Sequence, residues 1–183
     1  MKNIRILCLS GSLRKASYNT ALIKAVCKLA PPELEISIFE SMGLMPLFNP
    51  DLEDEPQPIV DKLRNELKKS DGLLIASPEY AHGISGVLKN ALDWLVSGEE
   101  FPYIPVALFN TSPRATHAQA ALREVIKTMS GNIIEQASIS VPLLGSNYAA
   151  NDIVNHPEIS HDVVNALNSF RDAIIMHGKT HNA

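Results

Sequence analysis

The apolar run at residues 4–9, the polar loop at 10–20 and the helical repeat that follows constrain the fold of this chain most. The run is short and continuous, as in a strand buried in a sheet. Leu22, Val26 and Leu29 then recur at the spacing of a helix with one buried face. The sequence therefore predicts a strand, a loop and a helix, with the loop's backbone amides at the positive end of the helix dipole.

The loop at 10–20 carries side chains that can hold a phosphate group. Hydroxyl and amide groups come from Ser10, Ser12, Ser17, Asn19 and Thr20, and positive charge comes from Arg14 and Lys15. Such groups donate charge-assisted hydrogen bonds to phosphate oxygens. The loop lacks the Gly-Lys-Ser/Thr end of a Walker loop and the three glycines of a dinucleotide fingerprint, so it suits a terminal phosphomonoester. The alternative is a polar turn whose Ser or Asn only caps the helix.

Length and composition predict a single globular domain over residues 1–183. The net charge is -4, so the chain lacks the basic character typical of proteins that bind nucleic acid. Every apolar stretch is shorter than the roughly 20 residues that span a membrane, and no signal peptide is recognisable, so we expect a cytoplasmic protein without a membrane partner. Cys8 and Cys27 lack metal-ligand spacing, and we expect two buried thiols and no metal site.

Strand and helix patterns alternate along the rest of the chain. Predicted strands lie at 34–38, 72–76, 106–109 and 133–141, and predicted helices carry apolar repeats at 59–67, 85–95, 118–129 and 163–175. Five strands alternating with five helices predict right-handed crossovers and a parallel sheet covered on both faces. The predicted fold class is α/β, a flavodoxin-like three-layer sandwich with a five-stranded parallel sheet of order 2-1-3-4-5.

The loops after the first and third strands form the expected ligand site. With this strand order, ligands bind beyond the carboxyl ends of the strands at the switch point between strands one and three. The loop after the third strand is residues 77–84. Residues 41–58 include Pro46, Pro50, Pro56 and Pro58 and predict a long loop, which is usually functional or part of an interface.

Two segments carry a pattern shared with known enzymes. Residues 11–19 read Gly-Ser-Leu-Arg-Lys-Ala-Ser-Tyr-Asn, and residues 77–94 begin Ser-Pro-Glu-Tyr and end Gly-Val-Leu-Lys-Asn-Ala-Leu-Asp-Trp. Together they resemble the NADPH-dependent FMN reductase family, which includes quinone, azo-dye and chromate reductases, and residues 45–52 are similar to the family's loop after strand two. The chain departs from the family pattern at Ala81, where Asn is common, at Ser85, where Pro is usual, and at 113–116, where a glycine pair is frequent.

The resemblance implies an enzyme that passes hydride from NADPH, or NADH, through bound FMN to an acceptor such as a quinone, azo compound, free flavin or metal oxyanion. It places the FMN phosphate at Ser10, Ser12, Arg14, Ser17 and Asn19, and the isoalloxazine ring at Pro78, Glu79, Tyr80, His82 and Gly83. The flavin carries the chemistry, so no protein residue is expected to be catalytic. The resemblance also implies a homodimer or homotetramer.

Several interpretations stay open at the level of sequence. Tyr80 flanks the ring or packs at the rim, and His82 lies near the reactive edge of the flavin or in a solvent-exposed turn. Arg114 attracts the extra phosphate of NADPH or is an ordinary surface residue. The alternatives for the whole protein are a flavodoxin-type FMN electron carrier without its own nicotinamide reaction, and a flavin-free interaction module that keeps the fold.

Overall fold

The structure is a computed structural model that describes residues 3–181 and the side chains of residues 3–178. The predicted domain at 1–183 includes two residues at each end that lie outside this range. The strands are β1 (Ile4–Ser10), β2 (Leu34–Ile38), β3 (Gly72–Ala76), β4 (Glu79–Tyr80), β5 (Gly83–Ile84), β6 (Pro105–Asn110), β7 (Asn132–Ile133) and β8 (Ile139–Ser140). The α-helices are α1 (Tyr18–Leu29), α2 (Pro58–Lys68), α3 (Gly86–Leu95), α4 (Thr116–Thr128), α5 (Ala150–Asn155) and α6 (Pro157–His181).

The main sheet is parallel, with the order β2-β1-β3-β6-β7, and β8 also pairs with β6. Ile6 of β1 is in register with Ile36 of β2 on one side and with Gly72 of β3 on the other. This arrangement confirms the predicted flavodoxin-like fold class, with β6 and the β7–β8 segment in the fourth and fifth positions. The carboxyl ends of β1, β3 and β6 consequently meet at one edge of the sheet.

Alternation along β1 assigns the helices to two layers, because successive side chains of a strand point to opposite faces. Ile6 and Cys8 belong to a core cluster that includes Leu22 of α1 and Phe170 of α6. Leu7 and Leu9 belong to the other cluster, which draws its helical side chains from α2, α3 and α4. Each face of the sheet is therefore covered, as the continuous apolar strands predict.

The last predicted strand, 133–141, is wrong as one continuous strand. Residues Glu135–Ala137 form a 3₁₀ turn between β7 and β8. Ser138 explains the interruption, because its Oγ accepts a hydrogen bond from the backbone N–H of Leu108 at 3.0 Å and donates one to the Ile134 carbonyl, also at 3.0 Å. The Ser138 side chain thus replaces a backbone carbonyl as the hydrogen-bond acceptor at this point. The Leu108 N–H of β6 therefore remains hydrogen-bonded although the neighbouring strand is interrupted.

Two other expectations need correction. The final helix is not confined to 163–175 but begins at Pro157, a residue favoured in the first turn of a helix because it has no N–H to satisfy. Cys8 is buried as expected, whereas Cys27 is exposed, since it lies on the outward face of α1 beside Lys28.

The long loop predicted at 41–58 corresponds to the segment between β2 and α2, which contains two 3₁₀ turns, Glu40–Leu44 and Pro50–Leu52, and is held by α3. Asn90 donates from Nδ2 to the Pro46 carbonyl at 2.9 Å, and its Oδ1 accepts from the Phe48 N–H at 2.8 Å. Trp94 donates from Nε1 to the same Pro46 carbonyl at 2.9 Å, and its ring meets the Phe48 ring edge-on. The polar groups of α3 therefore order a segment that has little regular structure of its own.

Candidate functional site

A cavity of about 290 Å³ lies where the loops after β1, β3 and β6 meet, and we call it the three-loop cavity. The first loop and the start of α1 line it with Ser12, Arg14, Ser17, Tyr18 and Asn19. The second loop contributes Pro78, Glu79 and Tyr80, and the third contributes Asn110, Thr111, Ser112, Arg114 and Ala115, with Leu144 completing the wall. Its position beyond the carboxyl ends of parallel strands is typical of ligand sites in this fold.

The first loop is held together by its own hydroxyl groups. Ser10 Oγ lies 2.8 Å from Thr20 Oγ1, and Ser10 is buried behind the cavity rather than in its wall. Ser17 is the N-cap of α1, and its Oγ accepts the Thr20 N–H at 3.3 Å. The capping interpretation is therefore correct for Ser17, but it does not exclude ligand binding, because a hydroxyl that accepts one hydrogen bond can still donate another.

Asn19 is the most buried of the predicted phosphate-binding residues, at 4% exposure. Its Oδ1 accepts a hydrogen bond of 3.2 Å from the hydroxyl of Thr111, which is itself buried. The carbonyl end of the amide is thus fixed by the third loop, while Nδ2 has no acceptor among the described residues. A donor held in this way, close to the cavity wall, suits an anionic ligand.

Gly11 brings the first and second loops into direct contact. Its N–H donates to the Ala76 carbonyl at 2.9 Å, at the end of β3. A Cβ atom built at Gly11 would lie 2.2 Å from Ser77 Oγ and 2.9 Å from Ser85 Oγ, so glycine is required by a close approach. Ser77 and Ser85 are hydrogen-bonded to each other at 3.3 Å, and Ser85 caps α3 by accepting the Leu88 N–H.

The second loop is a hairpin of β4 and β5, which the sequence did not predict. Its turn places both Ala81 (φ 49°) and His82 (φ 58°) in the left-handed region. Two consecutive residues in the left-handed region form a two-residue hairpin turn whose twist matches that of the flanking strands, and Gly, Asn and Asp usually occupy these positions. Because this chain has Ala81 and His82 at these positions, the sequence did not predict the turn.

Glu79 connects this hairpin to α4. Its Oε2 accepts the Ala118 N–H at 2.8 Å, and its Oε1 lies 3.2 Å from His82 Nδ1. His82 in turn meets His117 ring to ring, with centroids 4.6 Å apart. The hydrogen bond from Ala118 lowers the pKa of the Glu79 carboxyl below its ordinary value, and the nearby imidazoles of His82 and His117 lower it further.

The structure gathers most of the predicted site residues around one cavity. Ser12, Arg14, Ser17, Asn19, Pro78, Glu79 and Tyr80 line the three-loop cavity, whereas Ser10, His82 and Gly83 lie outside its wall. The prediction omitted Tyr18, Leu144 and the lining residues of the third loop other than Arg114, which it weighed as a contact for the extra phosphate of NADPH. The position of residues 110–117 directly after a buried strand was the available signal for that loop, because the carboxyl ends of neighbouring parallel strands share an edge.

The wall of the cavity carries two cationic side chains, Arg14 and Arg114, and one carboxylate, that of Glu79, and this balance favours an anion. The Arg14 side chain makes no ion pair within residues 3–178, and Arg114 on the third loop makes none either.

No cluster of three or more His, Cys, Asp or Glu side chains suited to a metal ion occurs in the described part of the chain. Among the helices of residues 3–181, none is both long and apolar enough to cross a membrane.

The sequence matches a known family and is similar to individual known proteins. The sequence model of the family described as NADPH-dependent FMN reductase matches residues 4–143. An NAD(P)H-dependent FMN reductase of Pseudomonas aeruginosa is 36% identical over 130 residues, which cover 68% of this chain and 70% of that protein. A quinone reductase of Escherichia coli K12 is 34% identical over 96 residues, 51% of each chain, so the match spans about half the length of that relative.

Solved structures share the whole architecture. FerB, a flavoenzyme NAD(P)H:(acceptor) oxidoreductase from Paracoccus denitrificans, superposes with a TM-score of 0.84 and 28% identity, covering 95% of this chain and 98% of that one. A WrbA-like flavodoxin protein from Agrobacterium tumefaciens superposes with a TM-score of 0.62 at 11% identity, covering 96% and 99%, which indicates a common fold alone.

Proposed function

The chain belongs to the NADPH-dependent FMN reductase family, and we propose that it binds FMN in the three-loop cavity and reduces a quinone-type acceptor with electrons from NADPH or NADH. The observation that carries this proposal is the donor set in the cavity wall, where Arg14 and the buried Asn19 amide belong to the first loop and the capped start of α1. The family's cofactor has a terminal phosphate, which is the group that such donors recognise.

The residues present fit that phosphate. Asn19 keeps Nδ2 for the ligand because Thr111 occupies its carbonyl oxygen, and Ser17 keeps its hydroxyl proton because Oγ serves α1 only as an acceptor. Arg14 has no competing carboxylate within residues 3–178 and adds the charge. Ser10 supports the loop from behind through Thr20, so we assign it a positioning role and not a direct contact.

We place the flat ring of FMN against the part of the wall that the second and third loops supply, and we call this part the ring end. Pro78, Glu79 and Tyr80 come from the second loop, and Ser112 and Arg114 come from the third. Tyr80 is 49% exposed, so this end opens to solvent. When bound here, FMN supplies the ability to accept a hydride from the nicotinamide and to pass it to the acceptor.

The hairpin keeps the ring end in shape. Glu79 ties the hairpin to the N-terminus of α4 through the Ala118 N–H, and His82 is held at the turn by the same carboxylate. His82 and Gly83 therefore border the ring end through the hairpin rather than line the cavity.

Two measurements on the purified protein test the proposal. Chromatography of the flavin released on denaturation should identify FMN and not FAD, because the loop lacks the fingerprint for a pyrophosphate. In an anaerobic stopped-flow experiment, NADPH alone should bleach the bound flavin in one two-electron phase, and added quinone should restore the colour. A panel of azo compounds, free flavin and metal oxyanions then ranks the acceptors.

A flavodoxin-type electron carrier is the competing interpretation. Flavin that is bleached only when a separate reductase is present would favour the carrier, and a protein that binds no flavin would favour an interaction module. Parallel lines in double-reciprocal plots would support the enzyme, because one site that serves both half-reactions gives ping-pong kinetics.

We also propose that the protein is a homodimer or homotetramer. Leu44 and Leu47 in the loop after β2 are 71% and 84% exposed, and Leu13 of the first loop is 59% exposed and adjacent to Gly43. Contiguous exposed apolar surface marks interaction sites, and Leu13 lies against Gly43, the neighbour of Leu44. Light scattering coupled to gel filtration should show an oligomer, and Leu47→Ser should weaken it.

We propose the cytoplasm as the place of action, because the reaction draws on NADPH from the cell interior. Cell fractionation tests this location.

A further inference from the structure

A second cavity, of about 340 Å³, lies on the other side of the first loop, and we call it the helix-edge cavity. One wall is residues 14–18 with Thr20, Ala21 and Lys24 of α1, and the opposite wall is residues 147–150. Its volume is in the range of small-molecule sites. The proposed FMN phosphate contacts Arg14 and Ser17 of its wall from the side of the three-loop cavity, and FMN uses none of its other lining residues.

Its charge is entirely positive. Arg14, Lys15 and Lys24 line the helix-edge cavity, and none of the lining residues is acidic. Lys15 and Lys24 make no hydrogen bond or ion pair within residues 3–178. The chain as a whole carries a net charge of -4, so this concentration of unpaired cations runs against the overall balance and favours an anionic ligand.

The walls suit more than a simple anion. Tyr18 and Tyr148 contribute aromatic surface, and Ala21, Ala149 and Ala150 contribute small apolar surface. The Tyr18 hydroxyl accepts the Asn147 N–H at 3.3 Å, which joins the two walls. A cavity with aromatic walls and a cationic rim matches a phosphorylated nucleoside, since the base packs against the rings and the phosphate meets the lysines.

The helix-edge cavity shares a wall with the flavin site. Arg14, Ser17 and Tyr18 line both cavities, so the two lie side by side at the first loop and the start of α1. We propose that the helix-edge cavity binds the adenosine 2′-phosphate end of NADPH, with Lys15 and Lys24 as the specificity-determining residues. The inference rests on the proposed function, because it assumes that the nicotinamide end reacts in the three-loop cavity.

Calorimetric titration of the FMN-loaded protein with adenosine 2′,5′-bisphosphate tests the proposal, since bound FMN blocks the phosphate site of the three-loop cavity. The double variant Lys15→Gln/Lys24→Gln should bind this probe about tenfold more weakly than wild type, as expected for the loss of two solvent-exposed charge contacts. Adenosine 5′-monophosphate, which lacks the 2′-phosphate, should bind more weakly to wild type and be less affected by the substitutions.

Lys28→Gln is the matched control. Lys28 lies on α1 one turn beyond Lys24, outside the cavity, and bonds Asn151. It should leave the affinity for the probe unchanged. Equal affinity of the double variant and wild type would overturn the proposal, and so would a larger loss in Arg114→Gln, because the 2′-phosphate would then bind at the third loop.

Flavin reduction separates this inference from the proposed function. The double variant should show an increased KM for NADPH with an unchanged KM for NADH. Normal reduction by both nucleotides together with unchanged probe affinity defeats the helix-edge site alone. Failure of the wild-type protein to retain FMN, or to be reduced by either nucleotide, defeats the proposed function and this inference with it.

Discussion

Replacing Gly11 with Ala should push apart the two loops that form the flavin site. The added Cβ would lie 2.2 Å from Ser77 Oγ and 2.7 Å from Ser77 Cβ. Rotation of the Ser77 side chain removes only the first contact, so the backbone of one loop must move. Ser77 and Ser85 are both buried, and overpacking of this kind costs about 1–3 kcal/mol of unfolding free energy.

Denaturant unfolding of the apoprotein measures this cost without interference from the ligand. For a chain of this size, the loss corresponds to a decrease in Tm of about 2–4 °C per kcal/mol. The double variant Gly11→Ala/Ser77→Gly should recover at least about 1 kcal/mol relative to the sum of the two single variants, because the residues contact each other directly. FMN affinity should fall in Gly11→Ala and recover in part in the double variant.

Gly86→Ala provides the control for glycine substitution as such. A Cβ at Gly86 meets no atom within 4 Å, and the residue begins α3, so Ala should be neutral or stabilising by up to about 1 kcal/mol. If Gly11→Ala lowered the free energy of unfolding by less than about 0.5 kcal/mol, or if adding Ser77→Gly restored none of the loss, the two loops would not be in the close contact described above.

Three further predictions concern the same site. Arg14→Ala should weaken FMN binding about tenfold to a hundredfold, through lost charge-assisted bonds, without lowering the Tm of the apoprotein; unchanged affinity in a fluorescence titration would contradict it. Ala81→Asn should raise the unfolding free energy by about 0.5–1 kcal/mol, because Asn tolerates a φ of 49° better than Ala; a lower denaturant midpoint than wild type would refute it. Because the pKa of Glu79 is lower in the folded protein, its carboxylate stabilises the fold above the unfolded-state pKa of about 4.3, and this contribution is lost as the pH falls through the native pKa. The Tm of Glu79→Gln should therefore decrease less on acidification than the Tm of wild type. Equal decreases in Tm would contradict the assignment.

Local sequence patterns predicted the parts of the fold that depend on neighbouring residues. The run into β1 and the repeat of Leu22 and Val26 gave the first strand and helix, because apolar periodicity reports burial directly. The pattern failed where a side chain substitutes for the backbone. Ser138 satisfies the Leu108 N–H, so the 133–141 segment keeps its apolar character while its strand is interrupted.

Contacts between residues far apart in the sequence limited how much of the site could be predicted. The Asn19–Thr111 hydrogen bond joins residues that are 92 positions apart, and nothing in either segment alone announces it. The third loop was therefore recognised as a loop after a strand, and Arg114 was the one residue of it weighed as a ligand contact. The hairpin turn at Ala81 was hidden for a different reason, because Ala is not among the residues that usually mark a left-handed turn.

The hydrogen bonds that Asn90 and Trp94 make to the loop after β2 have a consequence for solvent exchange. The Phe48 N–H donates to the Asn90 side chain, so it is bonded without belonging to a strand or an α-helix. Its exchange with deuterium should therefore follow the opening of α3 and not the rapid exchange of surface loops. In Asn90→Ala that protection should vanish at Phe48 while the amides of β1 and β3 keep theirs.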